Sequence, residues 1–109
     1  MAEAGQKVKN IISKYIRNLE ALGISVQKVI LFGSMAKGTY NKESDIDIAV
    51  ISKNFEKMSL WDRAKYLGKA ARGIPHPIET LGFSPSQLNR IEQGTILDEI
   101  TRSGIEVKV

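Results

Sequence analysis

The stretch Gly33-Ser34-Met35-Ala36-Lys37-Gly38-Thr39-Tyr40-Asn41-Lys42-Glu43-Ser44-Asp45-Ile46-Asp47 follows one short apolar run, Lys28-Val29-Ile30-Leu31-Phe32, and leads into a second, from Ile46 to Ile51. The first run is rich in β-forming residues and stops at Gly33-Ser34, so it reads as a buried strand feeding a glycine turn. In the second run every residue except Asp47 is apolar, which predicts a central strand covered on both faces. Side chains on a strand alternate faces, so Asp45 and Asp47 project the same way with Cβ atoms ~7 Å apart. Two carboxylates at that spacing repel by roughly 2–3 kcal/mol at an effective dielectric of ~20. A cation between them reverses the sign. With no cysteine and a single histidine, His76, in the chain, that cation is a hard, oxygen-bound one. Mg²⁺ fits, because it shares one or two carboxylates with substrate phosphates. Two such ions ~4 Å apart would clamp the attacking and leaving oxygens of a phosphoryl or nucleotidyl transfer.

The turn supplies the complementary half. Glycine at position 33 lets backbone approach a ligand closely, amides after a strand can point at phosphate oxygens, and the Ser34 hydroxyl adds a donor. A short helix starting near Met35 would aim its positive end at the same anion, and Lys37 is placed to neutralise further phosphate charge. Taken singly, a Gly-Ser turn and an Asp-x-Asp strand end are ordinary; their conjunction is not.

Outward from this segment, Val8, Ile11, Ile12, Tyr15, Ile16, Leu19 and Leu22 recur at helical spacing and predict an amphipathic helix over 3–22, closed by Gly23. Ser59 caps a second helix through about Arg72, with Lys65, Lys69 and Arg72 as a basic stripe. The prolines of Ile74-Pro75-His76-Pro77 exclude helix there, and Ile78 to Phe83 reads as a third strand. Ser84-Pro85-Ser86-Gln87 is a capped helix start, with an end expected near Gly94. A short helix over Thr95–Arg102 and an alternating strand over 105–109 complete the pattern. Strands alternating with helices imply an α/β architecture, a mixed sheet flanked by helices. No repeat or linker interrupts the 109 residues, so one domain spanning 1–109 is expected.

Composition bounds the function. No apolar run approaches the ~20 residues of a membrane span and no signal-peptide pattern opens the chain, so a cytoplasmic protein without membrane partners is expected. The formal charge of +4 favours polyanionic partners such as nucleotides. The positives are spread along the chain, however, as on an ordinary solvated surface. An RNA-binding α/β domain fits the charge, but the strand segments lack the aromatic stacking positions such domains use, and nucleic acid is not expected as a direct substrate. His76, between two prolines, reads as a surface or loop residue, and Trp61 as core or interface packing. Tyr40 reads equally as loop packing or as a stacking partner for a base.

Gly33, Ser34, Gly38, Ser44, Asp45 and Asp47 spell G-S-x(3)-G-x(5)-S-D-x-D. That pattern resembles the signature of the nucleotidyltransferase superfamily typified by DNA polymerase β. With each residue type at ~5–7% usage, all six matches arise by accident in on the order of 10⁻⁵ of chains this long. In size and element order the chain resembles the minimal nucleotidyltransferases. The resemblance implies a nucleotide site at Gly33, Ser34, Lys37 and Ser44, bound to ATP or another nucleoside triphosphate, and Mg²⁺ held by Asp45 and Asp47. The family's third carboxylate, on a neighbouring strand, falls on Glu79, which would serve as metal ligand and as base for the acceptor. Asp is more usual there, and Met35 and Lys37 stand where the family often has arginines. The resemblance further implies transfer of a nucleoside monophosphate, AMP from ATP, to a hydroxyl of a partner protein. Minimal members are commonly paired with HEPN proteins in toxin–antitoxin modules, so a HEPN-type toxin is the expected acceptor and this chain the antitoxin. A different class of function stays open beside it: the same fold used as a non-catalytic module that regulates a partner by contact. Homo-oligomerisation stays open as well.

Overall fold

The computed structural model describes residues 2–33 and 45–108. The chain runs α1 (Ala2–Ala21), β1 (Lys28–Phe32), β2 (Ile46–Ile51), a 3-10 turn (Lys53–Lys57), α2 (Leu60–Ala71), β3 (Ile78–Phe83), α3 (Pro85–Asn89), α4 (Ile96–Ser103) and β4 (Ile105–Glu106). The four strands form one sheet in the order β3-β2-β1-β4. β1 is antiparallel to β2 and to β4, whereas β2 and β3 are parallel, so the sheet is mixed as expected.

Strand alternation divides the sheet into two unequal faces. Val29, Ile46, Ile48 and Val50 point to one face and pack with Ile12, Tyr15, Ile16 and Leu19 of α1 and Leu67 and Ala70 of α2 in the larger core. Each fully buried Ile or Leu there stabilises the fold by ~1.5–3 kcal/mol through loss of water contact. Ile30 and Ala49 point to the opposite face, where Ile100 of α4 joins them in a smaller core flanked by Phe32, Leu81 and Phe83. β2 is thus apolar on both faces because helices cover both, and Asp47 is the exception at its entrance.

The polar anchors are few and specific. The Tyr15 hydroxyl donates to the Leu67 carbonyl (2.7 Å) and lies 3.2 Å from Thr80 Oγ1. Burial pushes that phenol up to about 12, so it remains a donor at any working pH. Arg63, buried on α2, donates to the carbonyls of Met58 (3.2 Å), Gly82 (3.1 Å) and Phe55 (2.8 Å) and to Gln87 Oε1 (2.7 Å). It ties α2 to the 3-10 turn, the β3 edge and α3 at once. The turn places Phe55, fully buried, so close to Gly82 that a Cβ there would press on its ring at 2.8 Å.

Sequence expectations hold for α1, α2 and the first three strands to within a residue. Three differences have local causes. α3 ends at Asn89, because Gly94 does not terminate it; Gly94 N–H donates to Asp98 Oδ2 (2.9 Å) and Thr95 caps α4, so this glycine serves the start of the next helix. The 3-10 turn was not expected; its signal is Ser52, whose hydroxyl accepts from Asn54 N–H and donates to the Ser25 carbonyl. β4 is only two residues long, although Val107 N–H still donates to the Val29 carbonyl (2.9 Å). The short helix expected from Met35 lies outside the described residues. No helix of the described residues is long and apolar enough to cross a membrane.

Arg63→Met keeps the aliphatic stem but strips the donors from three carbonyls. Leaving buried acceptors unpaired costs ~2–4 kcal/mol here. The thermal midpoint, followed by circular dichroism, should fall by more than about 8 °C. A change below about 2 °C would contradict the bracing role of Arg63.

Candidate active site

β1 leaves the sheet, and β2 and β3 enter it, at the same end. There the register sets Asp47 opposite Phe32 of β1 on one side and Glu79 of β3 on the other. Neighbouring strands lie ~4.8 Å apart and paired residues share a face, so the row Phe32–Asp47–Glu79 crosses the smaller face of the sheet. Asp45 precedes β2 by one residue and is exposed, while Asp47 is half-buried and Glu79 exposed on the edge strand. The structure therefore brings Asp47 and Glu79 side by side, from positions 32 residues apart in sequence. Asp45 stands close enough for its charge to be felt at Asp47.

Asp47 is under electrostatic strain. Burial first, then a proton shared with Glu79 and the negative charges of Glu79 and Asp45, push its carboxyl up to about 6. Its Oδ1 is buried and has no hydrogen-bond partner among the described residues. A carboxylate with one buried oxygen unpaired among the described residues and a second carboxylate beside it suits a cation, which would remove both the repulsion and the missing contact. Among the described residues no three His, Asp or Glu side chains close around one metal site by themselves. An ion held here needs further oxygens from elsewhere, as Mg²⁺ does when it shares carboxylates with phosphates.

Gly33 shapes the other wall. Its φ of +72° lies in the left-handed region, and a Cβ at this position would collide with the Asp47 carboxylate. Glycine is required here twice over, for the backbone conformation and for the space that Asp47 occupies. Of the other residues expected in the site, Ser34, Lys37 and Ser44 lie outside the described residues, as does Tyr40. His76 sits half-buried in the bend ahead of β3. Trp61 is 83% exposed, which corrects the reading of it as core: the first turn of α2 projects it outward. Phe32 was read only as a strand residue, yet it forms the apolar neighbour of Asp47; the antiparallel register that puts it there is not visible in either strand alone.

A raised carboxyl pKa carries a signed consequence for stability. In the unfolded chain Asp47 titrates near the ordinary 3.8 and in the fold at about 6. The folded state therefore binds a proton more tightly, so the contribution of Asp47 is most favourable below pH 3.8 and is lost as pH rises through 6. Asp47→Asn should raise the melting temperature of the metal-free protein at pH 8, with the gain shrinking to nothing by about pH 4. A gain that is the same at both pH values would contradict the assignment. Gly33→Ala should destabilise the fold by more than about 1 kcal/mol at any pH, from the positive φ and the collision together, measured by denaturant titration.

Comparison with known proteins gives this geometry a family. The family model describing a nucleotidyltransferase domain matches residues 10–105. A candidate protein adenylyltransferase of Methanocaldococcus jannaschii is 29% identical over 103 residues, covering 93% of this chain and 99% of that protein. A second candidate protein adenylyltransferase of the same organism is 38% identical over 61 residues, covering 55% of this chain and 41% of that longer protein. Among solved structures, a candidate nucleotidyltransferase from Sulfolobus solfataricus superposes with a TM-score of 0.68 at 19% identity, over 96% of this chain and 83% of that one, and shows the shared fold. A chain from the crystal structure of a toxin–antitoxin with AMP-PNP superposes with a TM-score of 0.60 at 25% identity, over 92% of this chain and 72% of that one. With its mixed sheet, its carboxylates at the shared strand end and a family match over nearly its whole length, the chain belongs to the nucleotidyltransferase domain family.

Proposed function

We propose that the chain works as one nucleotidyltransferase unit that binds Mg²⁺ and ATP and transfers AMP to a hydroxyl of a partner protein, a HEPN-type toxin for which it is the antitoxin. The observation that carries this reading is the Asp47–Glu79 pair, two carboxylates set side by side, with a buried Asp47 oxygen that has no hydrogen-bond partner among the described residues. Two further facts support the acceptor. A curated relative matched over nearly its whole length is a candidate protein adenylyltransferase, and a fold neighbour comes from a toxin–antitoxin with AMP-PNP.

In this reading Asp45, Asp47 and Glu79 would hold the divalent metal only together with triphosphate oxygens, since the three side chains do not close a site by themselves. When bound, the metal neutralises the triphosphate and the charge that builds on the α-phosphate during transfer. Gly33 and Ser34 bind the β- and γ-phosphates through backbone amides and the serine hydroxyl, with Lys37 and Ser44 completing the nucleotide contacts. Glu79, on the open edge strand, takes the proton from the acceptor hydroxyl as its oxygen bonds to the α-phosphate and pyrophosphate leaves. Most of the acceleration comes from positioning and electrostatics rather than from a covalent intermediate. The free-protein pKa of Asp47, near 6, falls when a cation binds, so Asp47 is ionised in the working complex at neutral pH.

Calorimetric titration with ATP tests the nucleotide site without knowledge of the acceptor. Binding should need Mg²⁺ and should weaken at least about tenfold in the Asp45→Asn/Asp47→Asn variant. Binding that ignores both Mg²⁺ and the substitutions would sink the assignment. For transfer itself, incubation with ATP and the co-purified HEPN partner should give the partner an AMP-sized mass gain. Asp47→Asn should abolish that gain while the domain stays folded; wild-type transfer by this variant would contradict the role of Asp47.

A further inference from the structure

Positive charges that are scattered in the sequence are gathered by the fold. α1 and α2 lie side by side on the larger face of the sheet, tied by the Tyr15 hydroxyl on the Leu67 carbonyl (2.7 Å) and by Asn18 Nδ2 on the Ala70 carbonyl (2.9 Å). Helices packed in this way run ~8–10 Å apart. At ~100° per residue, Lys14 and Arg17 fall on the side of α1 away from the buried Ile12, Ile16 and Leu19. Lys65, Lys69 and Arg72 likewise fall on the side of α2 away from the buried Arg63, Leu67 and Ala70. Two rows of cations thus share one outward surface. All five are exposed, and among the described residues none of them is in an ion pair. Asp47 and Glu79 lie on the opposite side of the sheet.

A crevice is set into this surface. Met58, Asp62, Lys65, Tyr66 and Lys69 line a hollow of about 340 Å³. Asp62 with Tyr66 and Lys65 with Lys69 are i,i+4 neighbours, ~5–6 Å apart, and form its two sides. Trp61, 83% exposed, stands one turn before Lys65 on the same outward surface.

Each of these groups has a counterpart in a nucleotide. A base lies against the Tyr66 ring and the Met58 side chain, as aromatic side chains hold bases in single-strand binding. Asp62 accepts a hydrogen bond from an exocyclic amino group, as a carboxylate does from cytosine N4. Lys65 and Lys69 meet the flanking phosphates, the other cations extend the track, and Trp61 offers its ring to the next base. Other polyanions fit less well. An acidic peptide satisfies the lysines but is repelled by Asp62. A lipid surface needs apolar side chains to take in, and among the described residues Trp61 is the large apolar side chain on these cationic rows. We infer that the outward surface of α1 and α2 binds a single-stranded polynucleotide, with one base in the crevice and its neighbour stacked on Trp61. Because this surface faces away from the carboxylates, the strand is a docked partner and not the substrate, and the inference stands apart from the transfer reading.

Fluorescence anisotropy of a labelled, unstructured RNA of about twelve nucleotides tests this on the whole chain. Half-saturation should lie between about 1 and 100 µM near physiological salt. Five phosphate contacts predict a slope of about −3.5 in log affinity against log salt, a loss on the order of 100-fold between about 50 and 200 mM. Lys65→Ala/Lys69→Ala should weaken binding and bring the slope to about −2. Trp61→Ala should weaken it at least about fivefold with the slope unchanged. Asp62→Ala separates base from charge: it should tighten binding of oligo-U, while erasing the preference of the wild type for oligo-C over oligo-U. All three variants should keep their circular dichroism and their Mg²⁺-dependent ATP binding. No binding at about 50 mM salt with up to about 100 µM protein overturns the inference. So does equal binding of duplex RNA or polyglutamate, binding of phosphatidylserine vesicles but not of RNA, or RNA binding that survives all three variants. RNA binding that is lost in Asp45→Asn/Asp47→Asn would place the strand in the carboxylate site and overturn it as well. RNA binding without any ATP binding would retire the transfer reading and leave this surface standing.

Discussion

Asp47 is a carboxylate at the mouth of a strand that is otherwise apolar on both faces, and the register of β3 sets a second carboxylate, Glu79, directly beside it. Neither group gains from this arrangement in the isolated protein. Burial and the like charges of Glu79 and Asp45 raise Asp47 to about 6, and one of its oxygens has no partner among the described residues. The rest of the structure makes that cost unavoidable. The hydrophobic burial of Ile46, Ile48 and Val50 against α1 and α2 fixes β2 in place. Parallel pairing then locks β3 in the one register that faces the carboxylates. Gly33 leaves the space into which the Asp47 carboxylate fits. A local conflict held in place by strong packing around it is how folds keep a site poised for a ligand that relieves the conflict.

The two faces of the sheet divide the labour. The larger core, under α1 and α2, supplies most of the apolar burial and is anchored by the Tyr15 hydroxyl, Asn18 and the Arg63 guanidinium. The smaller face is only partly covered by α4, through Ile100 against Ile30 and Ala49. Among the described residues no helix covers the end that carries Asp47 and Glu79, nor the edge that runs from Glu79 past Leu81 to Phe83. The carboxylates thus stand on the side of the sheet away from the main core. Arg63 seals the far end of that edge by occupying the Gly82 carbonyl, so an otherwise open strand does not invite further strands.

Much of this was legible in the sequence, because local signals agreed with the global fold. The caps at Ser59, Ser84 and Thr95, the apolar periodicity of α1 and the Asp-x-Asp spacing at the start of β2 each act over a few residues and appear unaltered in the structure. The elements that escaped depend on distant partners. The length of α3 was misjudged because Gly94 answers to Asp98 and the next helix. The 3-10 turn exists because Phe55 has a slot against Gly82 and Leu67 to fill. In the site, the pairing of Asp47 with Glu79 needed the order of strands as well as their identity. The exposure of Trp61 depended on which side of α2 meets the sheet, and a first-turn tryptophan gives no local signal of that.

A divalent metal held together with a nucleoside triphosphate at the Asp47–Glu79 strand end is what the proposed function requires. Paramagnetic relaxation in amide NMR spectra tests it most directly, with Mn²⁺ replacing Mg²⁺ in the presence of a non-hydrolysable ATP analogue. The signals of Gly33, Asp45, Ile46, Asp47 and Glu79 should broaden selectively, with α1 and the basic stripe of α2 left sharp. Broadening centred elsewhere, or spread evenly over the exposed acidic residues, would contradict it.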